Sequence, residues 1–120
     1  MILGVDHVQI TVAPADVERA RTFYCDLLGL KEIKKPASLQ KRGGFWVVVG
    51  NQQVHVGVEE GVERLRTKAH IAYRVSDLQC WRQKLAEAGL ELVESIPIEG
   101  FERVEARDPF GNRIEFIRPI

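Results

Sequence analysis

Residues 5–12 read VDHVQITV. Val8, Ile10 and Val12 alternate with His7, Gln9 and Thr11, the two-residue period of a strand with one apolar and one polar face. An ordinary solvent-facing strand has the same pattern, so the meaning of His7 depends on what the rest of the chain sets beside it. A second stretch begins the same way: HIAYRV at 70–75 opposes Ile71, Tyr73 and Val75 to His70 and Arg74.

Outward from these two strands the chain repeats itself. Residues 13–30, APADVERARTFYCDLLGL, place Val17, Ala20, Tyr24, Leu27 and Leu28 on one helical face, with Pro14 suited to a first turn and Gly29 to the end. LKEIKK (30–35) predicts a short strand, ASLQKR (37–42) a loop, and GFWVVVGNQQVHVGVE (44–59) a hairpin turning at Gly50 and Asn51. Beyond EGVERLRT (60–67), the strand HIAYRV leads to a helix in SDLQCWRQKLAEAGL (76–90). There Ser76 and Gln79 fit a capping box, Leu78, Trp81, Leu85 and Ala88 make the apolar stripe, and Gly89 follows the end. LELVESI (90–96), FERVEAR (101–107) and RIEFIR (113–118) predict strands, the last two joined by the turn DPFGN (108–112). Strand, helix and three strands therefore occur twice, which is an α+β pattern of paired βαβββ modules, 1–60 and 68–120, within one domain.

The halves register by their spacing. His7 and His70 are 63 residues apart, while Gly29 and Gly89, and again Val54 and Ile114, are 60 apart, so one three-residue shortening before the second helix aligns them. His7 then matches His70, and His55 matches Glu115. A duplicated unit of this kind usually cannot bury its own apolar face, which predicts halves packed about a pseudo-two-fold axis. In QVHVGVE the apolar set Val54, Val56 and Val58 leaves His55 and Glu59 on the opposite face, and in RIEFIR the pair Ile114 and Phe116 leaves Glu115 opposite. With helices on the apolar faces and a curled sheet, the polar faces become the inside of a cup.

Composition removes several function classes. Lys plus Arg and Asp plus Glu both number 17, for a formal net charge of zero, and no basic run stands out. That argues against nucleic acid or an anionic membrane as partner. The chain enters a strand pattern without a charged and apolar leader and has no bilayer-length apolar run, so a soluble cytoplasmic protein is expected. Cys25 and Cys80 lack metal-site or redox spacing and read as small buried apolar residues.

One histidine on the polar face of a strand is more often surface than ligand. This chain has only three histidines, and all three fall on repeat-matched strand positions of one facial class, with a carboxylate at the fourth. His7, His55, His70 and Glu115 are therefore the expected metal ligands. Arg74, Arg103 and Arg113 read as solvated charges, and Trp46, Tyr73 and Phe110 as core.

DHVQITV, FYCDLLGLKEI, AHIAYRV, KLAEAGLEL and DPFGNRIEFI, which span nearly the whole chain, resemble the vicinal oxygen chelate superfamily. That superfamily includes glyoxalase I, fosfomycin and bleomycin resistance proteins, methylmalonyl-CoA epimerase and extradiol dioxygenases. The resemblance implies a cupped eight-stranded mixed sheet around a divalent metal, with helices on the outer face, and it puts His7, His70 and Glu115 where the commonest ligand trio stands. His55 departs from the pattern: the matching strand gives a glutamate in glyoxalase I and a glutamine in the epimerase, whereas a histidine there resembles the acid–base histidine of extradiol dioxygenases. His55 and Glu115 are accordingly the expected catalytic residues, with His55 as ligand or proton shuttle. Two imidazoles and a carboxylate leave coordination positions open and suit Zn, Ni, Fe, Mn or Co. The expectation is a metal-dependent isomerase, lyase, dioxygenase or group transferase acting on a small, oxygen-chelating substrate. The alternative is a small-molecule binding protein of the bleomycin-resistance type. Related proteins often complete each cup with modules from two chains, so a homodimer is expected.

Overall fold

In a computed structural model describing residues 1–120, the chain divides into two units, Met1–Val62 and Glu63–Ile120. The first contains β1 (His7–Val12), α1 (Val17–Arg21), β2 (Lys31–Ile33), β3 (Phe45–Val49) and β4 (Gln52–Val58). Its strands order as β1-β4-β3-β2, with β1 parallel to β4 and the other pairs antiparallel. Gly50 and Asn51 close the β3–β4 hairpin between paired Val49 and Gln52. Gly50 alone takes a positive φ there, 60°, as expected at the first central position of a type II′ turn.

The single helix expected over 13–30 is three kinds of turn. A 3₁₀ turn at Pro14–Asp16 leads into α1, which widens to π geometry over Thr22–Leu27, where Leu28 N–H donates to Phe23 O at 3.0 Å. Ala20, Phe23, Tyr24 and Leu28 are buried, at the i, i+3, i+4 and i+8 spacing of one helical face. These residues, with Val12, Phe45, Val47, Val54 and Val56, are the unit's core. Val8, expected to face inward, is 40 % exposed, whereas Val12 is fully buried. β1 is an edge strand with β4 on one side only, and its apolar face is covered at its C-terminal end alone.

The second unit contains β5 (His70–Arg74), α2 (Leu78–Glu87), β6 (Phe101–Arg107) and β7 (Arg113–Pro119) in the order β5-β7-β6, again with one parallel pair, β5 with β7. The ladders correspond: Val8 faces Val54 in the first unit and Ile71 faces Ile114 in the second. α2 packs on β6 and β7, its Trp81 ring stacked 5.2 Å from Phe116. Its cap is Asp77 rather than Ser76, for the Asp77 carboxylate accepts from Cys80 N–H at 3.0 Å. Cys80 on α2 and Ala88 at its C-terminal cap, expected in buried positions, are exposed.

The expected eight strands are seven, in two mixed sheets of four and three. LELVESI contributes only a bridge, Val93 to Glu105. Two features stop it there: Pro97 has no N–H for a ladder, and the Ile96 carbonyl accepts from Arg103 Nη2 at 2.7 Å instead of from a neighbouring strand. The DPFGN turn is tightly held. Buried Asp108 accepts from Phe110 N–H and Asn112 N–H at 2.9 and 2.8 Å, and Gly111 takes φ 104°. No helix is long and apolar enough to cross a membrane.

Candidate metal centre

In the first unit, β1, β3 and β4 set three rings face to face. Trp46 and His55 are direct partners in the β3–β4 ladder, and their rings lie parallel, 1° apart in plane with centroids 3.7 Å apart. His7 covers the other face of His55, at 4.0 Å and 15°. The polar face expected on β4 is thus a buried one: His55 is 4 % exposed. Burial, and secondarily the nearby His7, lower its pKa below the usual 6.5, so the imidazole is neutral at neutral pH. Its Nε2 lies 2.9 Å from Gln53 Oε1. His7 is more open, and its Nδ1 donates to Asp6 Oδ1 at 2.8 Å.

These residues border a cavity of about 450 Å³, which also meets Gln9, Lys35 and Arg42. Trp46, expected in the core, is a wall of this cavity. Its face is taken by His55 and its edge remains at the surface of the sheet, an arrangement that alternation alone does not reveal. Gly57, paired with Thr11 in the β1–β4 ladder, leaves room for the Gln9 side chain, whose Nε2 would lie 2.7 Å from a Cβ there.

In the second unit, His70 at the start of β5 meets Glu115 on β7. His70 Nδ1 donates to Lys68 O at 2.9 Å, which turns Nε2 towards Glu115 Oε1 at 3.4 Å. Glu115 is 4 % exposed, and Glu105 on β6 is its direct ladder partner. One ligand atom each from His70, Glu105 and Glu115 lies within 4.8 Å of the other two, a geometry able to hold a metal ion.

Sequence reasoning missed Glu105 and took Arg103 and Arg113 for solvated charges. Arg113 grips Glu105, its Nη2 2.7 Å from either carboxylate oxygen, and holds its pKa below the usual 4.5. Arg103 Nη1 lies 3.0 Å from Glu115 Oε1 and 3.6 Å from Glu105 Oε1. The signal was present in FERVEAR, where Val104 and Ala106 alternate with Arg103, Glu105 and Arg107. His70, Glu105 and Glu115 are thus the candidate donors of this unit, with each carboxylate held by an arginine. Arg74 is exposed and remote from these contacts in the ladder, paired with Ile117.

The whole chain is similar to known proteins. A family model for the Glyoxalase/Bleomycin resistance protein/Dioxygenase superfamily matches residues 4–116. Glyoxylase I 4 of Arabidopsis thaliana is 26% identical over 124 residues, 95% of this chain and 70% of that one. The crystal structure of a glyoxalase family protein from Bacillus anthracis superposes with a TM-score of 0.90 at 39% identity, covering 100% of this chain and 98% of the other. A mutant of the fosfomycin resistance protein FosX from Listeria monocytogenes, complexed with Mn(II) and 1S,2S-dihydroxypropylphosphonic acid, shares the fold at a TM-score of 0.83 and 18% identity, covering 100% and 95%. The chain, with its duplicated parallel strand pairs and its histidine at the head of each, belongs to the glyoxalase/bleomycin resistance protein/dioxygenase superfamily.

Proposed function

We propose that this protein is a divalent-metal-dependent enzyme acting on a small oxygenated substrate that chelates the ion, with His7 and His55 in the first unit and His70 and Glu115 in the second as the donors each unit offers. The observation that carries this reading is a shared hydrogen-bond pattern. His7 gives its Nδ1 to Asp6 and His70 gives its Nδ1 to Lys68 O, so at both repeat-matched positions Nε2 keeps its lone pair. An acceptor behind the ring that fixes tautomer and orientation is the usual companion of a ligating histidine. The donor set of imidazoles and one carboxylate suits Zn, Ni, Fe, Mn or Co, and the Mn(II) complex of a protein with this fold supports a divalent ion.

When bound, the ion would supply Lewis-acid stabilisation of negative charge developing on a substrate oxygen. The chain's residues do the rest. Glu115 brings the one negative donor, in a buried place where its charge acts at low dielectric. Trp46 and His7 clamp the His55 ring between them and Gln53 holds its Nε2, so His55 has little rotational freedom left. Because burial depresses its pKa, His55 offers a lone pair rather than a proton. That ring would serve as a donor to the ion or would accept a proton from bound substrate. Isomerisation, elimination, oxygenation and group transfer all fit this apparatus.

Elemental analysis of untagged protein, and of the His7→Ala, His70→Ala and Glu115→Ala variants, tests the ligand set. About one ion per chain is expected in the parent and a clear loss in each variant, whereas undiminished metal content in all three overturns the reading. A turnover screen of the metal-loaded protein over a broad panel of small hydroxy, keto and epoxy compounds separates an enzyme from a protein that only binds. β1 and β5 each border their sheet with one free edge, which supports a homodimer, and sedimentation at micromolar concentration checks it.

A further inference from the structure

We propose that the cavity beside His7 and His55 takes a small organic acid, its carboxylate or phosphoryl group held by Lys35 and Arg42 and its carbon skeleton against Trp46. The inference deepens the metal-dependent reading, on which it rests for the reaction though not for the binding.

The cavity's charge is one-sided. Its lining includes Lys35 and Arg42 and no carboxylate, in a chain whose acidic and basic residues are equal in number. Neither cation has an acidic partner. Lys35 Nζ donates to Gly43 O at 2.6 Å, which uses one of its three protons and leaves the ammonium charge uncompensated. Asp6, the carboxylate beside His7, is already engaged by the His7 ring. Positive charge left unpaired at the wall of a partly enclosed cavity attracts a counter-ion more strongly than the same charge in open solvent.

The loop carrying these cations is built into place. After the 3₁₀ turn Ala37–Arg42, Gly43 and Gly44 take φ of 75° and 79°. A Cβ at Gly44 would lie 2.0 Å from Val56 O, so the backbone following Arg42 rests directly on β4, next to His55. Gln40 Nε2 ties back to Lys35 O at 3.2 Å. Trp46 lines the same cavity, and its indole offers apolar surface to a carbon skeleton. The volume, about 450 Å³, falls in the range of small-ligand sites.

The test uses the full chain, first freed of metal with a chelator, and three probes: benzoate, its neutral counterpart benzamide, and phenylphosphonate. Binding is read on the indole N–H resonance of Trp46. Benzoate and phenylphosphonate are expected to bind about 10-fold or more tightly than benzamide, on the scale of one hydrogen bond to a charged group. Lys35→Gln and Arg42→Gln should each remove most of that preference and leave benzamide unchanged, and the order of the two anions tells whether the site is shaped for a planar or a tetrahedral oxyanion. Equal affinity for benzoate and benzamide, no binding of any probe, or indifference to both substitutions overturns the inference. Repeating the titration with Mn(II) separates the two readings. Anion preference in a protein that takes up no Mn(II) sustains the acid site and sinks the metal centre, while Mn(II) binding without anion preference does the reverse.

Discussion

Replacing Arg103 by methionine is expected to tighten divalent-metal binding, although the residue touches the proposed centre. Arg103 Nη1 is 3.0 Å from Glu115 Oε1, the same oxygen that faces His70 Nε2 at 3.4 Å. Arg103 and Arg113 together balance Glu105 and Glu115, so a doubly charged ion enters a cluster that is already neutral. For Glu115 to give Oε1 to the ion, the guanidinium contact must first break. A hydrogen bond between charged groups is worth about 1.5–3 kcal/mol, so the competition weakens apparent metal affinity roughly 10- to 100-fold. Arg103→Met keeps the stem length and removes the competitor; Arg103→Lys keeps the charge and should give little or no gain. The metal-free methionine variant also leaves buried Glu115 without its guanidinium partner, costing about 3 kcal/mol, so its Tm should fall and then rise with metal by more than the parent's does. Competition titration against a chelating dye at fixed pH and ionic strength measures the affinity, and thermal unfolding with and without Mn(II) measures the coupling. Unchanged or weaker metal binding in a folded Arg103→Met variant would refute the competition and make Arg103 a support of the site.

Tyr73→Phe should raise stability by about 1 kcal/mol, because the Tyr73 hydroxyl is buried with no hydrogen-bond partner and burying such a group costs energy. Burial also raises the Tyr73 pKa above the usual 10.0. Folding therefore holds the phenol neutral, and stability is full below pH 10 and lost as pH climbs through and beyond the ordinary phenol range; urea unfolding at pH 8 and 11 should show a smaller alkaline loss in Tyr73→Phe. Asp108→Ala should cost about 3 kcal/mol by thermal or urea unfolding, since it strands the Phe110 and Asn112 N–H groups that the buried carboxylate accepts. Gly44→Ala should displace the loop that carries Arg42 and cost on the order of 2 kcal/mol or more, from left-handed backbone strain and the collision with Val56 O; amide resonances of β4 should shift, and an unperturbed β4 would contradict the close packing.

Much of the strand layout was legible because a two-residue period and a fixed offset are strong signals. The 63- and 60-residue spacings anticipate that Val8 meets Val54 as Ile71 meets Ile114. The juxtapositions of His7 with His55 and of His70 with Glu115 follow from the same facing argument. What alternation could not convey was competition for hydrogen bonds. LELVESI has strand composition, yet Pro97 and the Arg103 contact to Ile96 O reduce it to one bridge. The π turn at Thr22–Leu27 lies on an apolar stripe that a regular α-helix shows equally, so the pattern did not distinguish them. At the candidate site the arginines were misread because charge on a strand face looks the same whether it meets water or a buried carboxylate. Trp46 was misread because a ring stacked on His55 is at once core and cavity wall.

The most direct test of the metal centre is the number of imidazole nitrogens on one equivalent of bound Cu(II) or Mn(II), read by pulsed electron paramagnetic resonance from the ion's coupling to nitrogen. The parent protein should bind the ion one to one, with at least two histidine nitrogens coupled. His7→Ala and His70→Ala should each lose one of them, and Glu115→Gln should keep the nitrogens while weakening affinity. An ion bound with no histidine coupling, or with coupling unchanged in both histidine variants, would contradict the account.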